Sequence, residues 1–239
     1  MSHLMEKKLV RRLRARIVFG ILAGCFAAQH AAAADDLPLL RLAKFEHERA
    51  SRDVTYVANW VVHSSDNHLA EDDRRVAFVI LDKKEARVYV FDETGRLRGV
   101  APALLGLGLG DTAPPGIGAK QLSAIAPKDR ITPAGRFVSR MGLDTHGKDV
   151  LWLDYDGALA MHRVAAGTAK DRRLERLSSP NPRDKRISFG CINLPVKFYE
   201  NVLHPAFKES PGIVYVLPET KPAKELFGAY DASERAVAK

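Results

Sequence analysis

Apolar and polar positions along the chain predict one helix followed by a series of short strands. Between residues 54 and 62, apolar side chains recur at i, i+3, i+4, i+7 and i+8, the spacing of one helix face, and Ser51 or Asp53 can serve as its N-cap. From residue 76 the pattern changes to continuous or alternating apolar runs bounded by polar turns, which is typical of strands. The predicted strands are 76–81, 86–91, 136–141, 150–154, 158–164 and 212–217.

Three other segments lack the strand pattern. Residues 104–130 are rich in Gly and Pro and predict a long loop, and long loops inside compact domains are often functional. Residues 165–187 form a second, polar loop with many Lys and Arg side chains. A helix is predicted from Pro195 to about Leu203, because proline is favoured in the first turn. The predicted fold class is therefore mostly β with few helices and an N-terminal helical lead-in.

The N-terminus has the three parts of a secretory signal. Basic residues between 7 and 16 precede an apolar stretch at 17–28 and the small residues Ala31–Ala34. The apolar stretch has about 12 residues, fewer than the roughly 20 that span a bilayer. We therefore expect a signal peptide over 1–34 and a periplasmic or secreted protein. The alternative is a lipid anchor through Cys25, since Leu22-Ala23-Gly24-Cys25 also fits a lipoprotein cleavage site.

Charge argues against a nucleic-acid partner. The formal net charge of the 239 residues is +8, from 37 basic and 29 acidic side chains. Residues 1–34 hold six of the basic and one of the acidic side chains, which leaves a nearly balanced 31 and 28. Most of the excess positive charge thus belongs to the targeting segment and does not indicate a phosphate-binding surface.

Cysteine count singles out one thiol. Cys25 and Cys191 are the two cysteines of the chain, and cleavage or acylation at the N-terminus leaves Cys191 as the free one. A lone thiol in an exported protein indicates a reactive group or an intermolecular partner. The alternative is a buried, inert cysteine that packs like a small apolar residue.

The residues around Cys191 favour a nucleophile. Gly190 allows a tight turn that brings backbone N–H groups towards the sulfur, where they can receive an oxyanion. Ser188 and Asn193 can fix the loop through side-chain to backbone hydrogen bonds. His162, at the end of a predicted strand, can serve as the base that a thiol needs. The rival His146 lies in a predicted turn and is expected to be exposed.

The order of these residues resembles the L,D-transpeptidase (YkuD-type) family over about residues 76–218. That family has an upstream His followed by Ser/Thr-His-Gly-Cys-hydrophobic-Asn, and this chain has His162 followed by the sequence Ser-Phe-Gly-Cys-Ile-Asn at 188–193. Residues 131–137 also resemble its Thr-Pro-x-Gly-x-Phe turn. Two features differ: Phe189 replaces the usual second His, and His162 precedes Cys191 by 29 positions, a longer gap than usual.

The resemblance implies a β-sandwich or barrel-like catalytic domain that remodels the cell wall. The implied divisions are a signal peptide at 1–34, a helical extension at 35–75, the catalytic domain at 76–218 and a tail, helical or disordered, at 219–239. His162 would deprotonate Cys191, whose thiolate would attack a peptidoglycan stem peptide and form a thioester. A backbone carbonyl beside His162, such as that of Arg163, would orient the ring.

The resemblance further implies no cofactor and no metal, and susceptibility of the thiol to carbapenem acylation. It leaves open 3–3 and 1–3 cross-links, hydrolysis by the same thiol, and a non-catalytic wall-binding module. Candidate substrate contacts are Arg186, Phe189 and Arg163; the altered 165–187 loop is expected to change substrate recognition. For Arg186 and its neighbour Lys185 the competing interpretation is a solvated charged loop.

Overall fold

The predicted apolar runs form strands that make up most of the core. The computed structural model describes residues 42–69, 74–165 and 167–229, and the predicted signal peptide with Cys25 lies outside this part of the chain. The described strands are β1 Phe78–Asp82, β2 Arg87–Phe91, β3 Leu97–Pro102, β4 Leu105–Gly106, β5 Gly135–Leu143, β6 Asp149–Asp154, β7 Leu159–Arg163, β8 Arg186–Ser188, β9 Ile192–Leu194 and β10 Gly212–Val216.

Eight of these strands form one sheet in the order β3-β2-β1-β10-β5-β6-β7-β9. Pairing is antiparallel except for β1 with β10 and β7 with β9. β4 and β8 form a separate parallel pair. Two hydrogen bonds of 2.9 Å join the backbones of Leu104, just after edge strand β3, and Asn193 in edge strand β9. This bridge brings the two ends of the sheet together, so the prediction of a mostly β, barrel-like fold is confirmed.

Both faces of the central strands are buried, which explains their continuous apolar runs. Along β1, Val79 and Leu81 face one core, which also contains Met161 and Ile192 from the strands near Cys191. Phe78 and Ile80 alternate to the other face and pack in a second core. The same alternation in β2 and β10 makes the middle of the sheet a rigid support on which β7 and β9 can present side chains.

Helices cover both cores. The predicted lead-in helix is confirmed as α1, Arg52–Ser64, with Ser51 as its N-cap, and its apolar face packs in the second core. The predicted helix after Pro195 consists of α3 Val196–Phe198, a π-helical turn Tyr199–Leu203 and α4 His204–Phe207. The remaining helices are α2 Arg173–Ser178 and α5 Ala223–Phe227. Short 3-10 turns lie at Ile117–Ala119, Leu122–Ala124, Pro127–Asp129, Ala169–Asp171 and Pro182–Lys185.

Several short elements differ from the sequence prediction. Strands β3, β4, β8 and β9 were not predicted, because two- to six-residue strands of mixed polarity show no clear alternation. The segment 165–187, predicted as a loop, contains α2 and two 3-10 turns. α5 lies in the predicted tail, for which helix and disorder were both open. The described helices include none with the length and apolar character needed to cross a membrane.

Candidate active site

Cys191 lies in a sharp turn between β8 and β9. Gly190 adopts a φ of +137°, a conformation that L side chains rarely reach, and an added Cβ would lie 2.9 Å from the carbonyl oxygen of Ile131. The Ser188 hydroxyl donates to the Cys191 carbonyl at 2.6 Å and accepts from the Gly190 N–H at 3.1 Å. Ser188 therefore joins both sides of the cysteine turn by hydrogen bonds, the kind of contact that the sequence predicted for it.

The other side of this turn is held by Thr132, which lies just before β5. The buried Thr132 hydroxyl donates to the Gly190 carbonyl at 2.7 Å and accepts from the Gly106 N–H at 2.9 Å. It thereby joins the cysteine turn to β4 and to the start of β5. Sequence analysis placed Thr132 in a turn motif without giving it a part in the site.

Strand register brings His162 and Asn193 together. In the β7–β9 pair, His162 is the direct partner of Asn193, while Met161 and Ile192 face the core. Cys191 immediately precedes β9, so it lies at the start of the strand that pairs with the strand carrying His162.

Both ring nitrogens of His162 have backbone or amide partners. Nδ1 lies 2.7 Å from the Arg163 carbonyl, which is the orienting contact that the resemblance implied. Nε2 lies 3.3 Å from the Asn193 side-chain nitrogen, which also donates to the Cys191 carbonyl at 3.2 Å. Asn193 thus contacts both the backbone of the cysteine turn and the candidate base.

The thiol is half-buried, and its hydrogen-bond partner is a backbone carbonyl and not the imidazole. Its Sγ donates to the Ala158 carbonyl at 3.4 Å, and among the described residues no hydrogen bond joins it to His162. Burial raises the pKa of the Cys191 thiol, an effect only partly offset by the Ala160 backbone N–H. The thiol is therefore neutral near pH 7 in this arrangement.

The imidazole is neutral as well. Burial is the main cause that lowers the pKa of His162, and the positive charge of Arg173 lowers it further. The Arg163 carbonyl and the Asp144 carboxylate act in the opposite direction. A neutral thiol next to a neutral imidazole is a general-base pair, in which the proton moves when the sulfur attacks.

Cys191 opens onto a groove of about 580 Å³. The Gly- and Pro-rich segment lines this groove through residues such as Pro114, Ile117 and Leu122, so it lies beside the thiol. Asp154, the last residue of β6, and Asp156, in the turn that follows, also line the groove. The described residues of the 165–187 segment do not line the groove.

Comparison with known proteins gives a likeness in fold only. No family model matches the chain, and no curated protein matches it. The solved structures that match include the catalytic domain of an L,D-transpeptidase from E. faecium, with 15% identity, a TM-score of 0.34, and coverage of 59% of this chain and 96% of that one.

Two further solved structures match at a similar level. An L,D-transpeptidase from Xylanimonas cellulosilytica has 13% identity and a TM-score of 0.36, with 66% of this chain and 68% of that one covered. A fused Zn-dependent amidase/peptidase/peptidoglycan-binding domain-containing protein from Clostridium acetobutylicum has 19% identity and a TM-score of 0.34, with 67% and 61% covered. At these values the likeness carries no argument about activity, which must come from the site.

Backbone N–H groups brought towards the sulfur by the turn at Gly190 were expected to receive an oxyanion. The N–H of Gly190 is bonded to the Ser188 hydroxyl. That bond holds the turn, so using the group for an oxyanion would undo the loop that presents the sulfur. The backbone N–H of Cys191 is the other candidate donor in this turn.

Lys185 and Arg186, the charged residues before the cysteine turn, are buried. One interpretation of the sequence had placed them in a solvated loop. The guanidinium of Arg186 is buried, pairs with Glu219 and donates to the Lys83 carbonyl at 3.0 Å. Lys185 is buried as well and donates to the Ser179 carbonyl. The solvated-loop interpretation is therefore wrong for both, and we do not propose Arg186 as a substrate contact because its donors are already engaged.

The other candidate contacts lie in different places. Phe189 lines the groove, with the guanidinium of Arg130 centred 4.0 Å above its ring. The side chain of Arg163 points away from the groove lining and pairs with Asp149 at 3.0 Å and Glu200 at 3.1 Å. His146 is exposed in a turn, as predicted. Within the described residues, no group of three or more His, Cys, Asp or Glu side chains is placed to hold a metal ion.

Proposed function

We propose that this chain is a peptidoglycan-directed cysteine acyltransferase of the L,D-transpeptidase type. The observation that carries the proposal is the position of Cys191: its thiol opens onto an extended groove, and His162 and Asn193 lie on the same face of the sheet. Cys-His chemistry needs a nucleophile, an oriented base and a backbone donor at the reacting carbonyl, and this turn offers all three.

The first half-reaction forms a thioester. Sγ leaves the Ala158 carbonyl by rotation about the Cα–Cβ bond of Cys191 and replaces the Asn193 amide as the donor to Nε2 of His162. It gives its proton to Nε2 as it attacks a stem-peptide carbonyl. The Cys191 N–H receives the developing oxyanion. When the C–N bond breaks, the imidazolium of His162 returns the proton to the departing amine, and the acyl group remains on sulfur.

The second half-reaction returns the free thiol. An amine of a second stem peptide attacks the thioester carbonyl, and Nε2 of His162 takes the proton that the amine loses. The C–S bond then breaks and the sulfur takes that proton back. The new amide is the cross-link, and one peptide bond has been exchanged for another without an external energy source.

The residues that line the groove suit a stem peptide. The apolar part of the groove, around Pro114 and Ile117, can pack against peptide backbone and small side chains, as most ligand pockets do. Lys120 supplies a positive charge and Asp154 and Asp156 supply negative charges along the same groove. Stem peptides carry both carboxylates and amines, so charges of both signs can be met. By the motif resemblance, the donor carbonyl belongs to an L-centre, and 3–3 and 1–3 products both remain open.

The direct test is product analysis. Purified protein is incubated with purified sacculi, and the muropeptides are analysed by mass spectrometry. Wild-type protein is expected to give new dimers, and Cys191→Ala none, with the fold of the variant checked by circular dichroism. Cys191→Ser, which replaces the thiol with a less acidic hydroxyl of similar shape, serves as a second variant and should also give no product above background.

Other products would change the assignment in defined ways. Shortened monomers without dimers would show that water, and not an amine, takes the acyl group. Unchanged dimer formation by Cys191→Ala would refute the cysteine mechanism. A supporting measurement is the mass of the protein after incubation with a carbapenem, for which we expect one adduct on Cys191.

We also propose export of the protein, either by signal-peptide cleavage or by lipid attachment at Cys25. The support is the order of basic, apolar and small residues over 1–34. Fractionation of cells and the N-terminal sequence of the recovered protein test this: a mature N-terminus near residue 35 indicates cleavage, an acylated Cys25 indicates a lipoprotein, and an intact cytoplasmic chain contradicts both.

A further inference from the structure

A side chain from the 165–187 segment reaches the catalytic face of the sheet. Nη1 of Arg173, in α2, donates to the side-chain oxygen of Asn193 at 2.9 Å. Arginine has donors and no acceptor, so the atom of Asn193 that it contacts must be Oδ1. The amide nitrogen of Asn193 is thereby directed to the other side, towards Nε2 of His162 and the Cys191 carbonyl.

The amide orientation fits one state of the imidazole. The Asn193 nitrogen can only donate, so Nε2 of His162 accepts and carries no proton. The Arg163 carbonyl can only accept, so Nδ1 carries the ring proton. Both contacts specify a neutral ring whose lone pair lies on the face where Cys191 is found, which is the state a general base requires.

We propose that Arg173 is a positioning residue that acts through Asn193 to keep His162 in this neutral, accepting state. The inference rests on the proposed function only for its consequence in catalysis. The 165–187 segment was expected to take part in substrate recognition. Here Arg173 of this segment contacts Asn193 and does not line the groove, so the segment has a different role.

Arg173 is itself held firmly. Its side chain is only 16% exposed, and its Nε pairs with Asp171 at 3.3 Å. Asp171 closes a capping box with Thr168, and its carbonyl accepts from Nε of Arg176 at 2.8 Å. The guanidinium therefore has little freedom to leave Asn193, and ordering it costs little further entropy when substrate binds.

Charges that act on His162 come from two directions. Arg173 approaches from the α2 side, and Asp144 acts from the turn between β5 and β6. Cys191 is the titratable group on the shared face. Arg173 disfavours the imidazolium and Asp144 favours it, so removal of Arg173 takes away one of the two effects that lower the pKa of His162 and should raise that pKa, with burial still acting.

The test is a titration of His162 by ¹⁵N NMR of the imidazole in the full-length protein, with His162→Gln used to assign its signals. Wild-type protein should show a proton on Nδ1 and none on Nε2 above the midpoint. In Arg173→Met the midpoint should move to higher pH, whereas Arg173→Lys, which keeps the charge, should stay closer to wild type. Arg172→Met, a change of the exposed neighbour that pairs with Glu175, is the matched control and should leave the midpoint unchanged.

A second readout is the pH dependence of kcat/KM for the acyl transfer. Its acidic limb should move to higher pH in Arg173→Met, with a loss of about tenfold at the acid end for each pH unit by which the midpoint rises. A merely structural role would lower stability and amplitude at every pH without moving the limb.

Asn193→Asp provides an independent check. It keeps an oxygen for Arg173 but offers Nε2 an acceptor instead of a donor, so Nε2 should become protonated and the midpoint should rise. An unchanged His162 midpoint in Arg173→Met would overturn the inference, whatever the result for Asn193→Asp. Because the titration needs no substrate, it can succeed or fail whether or not cross-linked products are found.

Discussion

Thr132 donates a 2.7 Å hydrogen bond to the carbonyl of Gly190, a residue 58 positions away along the chain. The same hydroxyl accepts from the Gly106 N–H, so one fully buried side chain satisfies two backbone groups at the base of the cysteine turn. The position of the thiol in the groove therefore depends on a contact between two distant segments.

Loss of this hydroxyl should damage both stability and activity. Thr132→Val keeps the shape and leaves two buried backbone groups without a partner, which should cost about 1–3 kcal/mol in the free energy of unfolding. Urea denaturation measures that cost, and product formation measures the effect on the turn. Thr132→Ser keeps the hydroxyl and should lie between wild type and Thr132→Val; equal stability of all three proteins would contradict this account.

Gly190→Ala should distort the turn that presents the thiol. Its φ of +137° and the approach of the Ile131 oxygen both oppose a Cβ, so we expect a loss of roughly 1–3 kcal/mol and a marked fall in activity. Gly147→Ala is the matched control, because Gly147 also has a positive φ but has open space around it. That variant should lose only about 1–2 kcal/mol from backbone strain and retain activity. Full activity of Gly190→Ala would show that the turn is not needed.

A buried lysine should support the groove wall. Nζ of Lys83 is fully buried and donates to the Gly110 carbonyl at 2.6 Å, to Asp111 at 2.8 Å and to the Thr132 carbonyl at 3.0 Å. Lys83→Met leaves the Asp111 carboxylate without this partner, and we expect a loss of about 3–5 kcal/mol by urea denaturation.

The adjacent residue supplies a control for charge alone. Lys84 pairs with Asp53 at 3.2 Å, but both side chains are more than 40% exposed. Lys84→Met should therefore change the free energy of unfolding by less than about 1 kcal/mol. Similar losses in the two variants would contradict the distinction between the buried and the exposed pair.

The thiol should behave as a neutral group near pH 7. Because burial raises the pKa of Cys191, alkylation by iodoacetamide should be slow at neutral pH and should accelerate as the pH rises into the alkaline range. Mass spectrometry of the peptide that contains Cys191 measures the rate separately from Cys25. His162→Gln should leave alkylation at pH 7 nearly unchanged while abolishing acyl transfer. A fast plateau near neutral pH that disappears in His162→Gln would instead show a preformed thiolate and imidazolium pair.

The sequence alone determined the elements with strong local patterns. The helical spacing at 54–62 with Ser51 before it predicted α1, and the apolar runs predicted six of the strands near their observed bounds. The glycine and cysteine between two loop-fixing polar residues identified the turn around Cys191. These features depend on neighbours within a few positions, so local periodicity and backbone preference are enough to find them.

Only the tertiary structure decided how the site is assembled. Strand pairing set Asn193 across from His162, folding of the 104–134 segment brought Thr132 under Gly190, and α2 brought Arg173 to Asn193. It also buried Arg186 against Glu219, where local composition had indicated a solvated loop. The physical reason is that strand register and long-range hydrogen bonds are fixed by the packing of the whole sheet. A short-range sequence pattern is the same whether a side chain ends in the core, at the site or in solvent, so the pattern cannot distinguish these places.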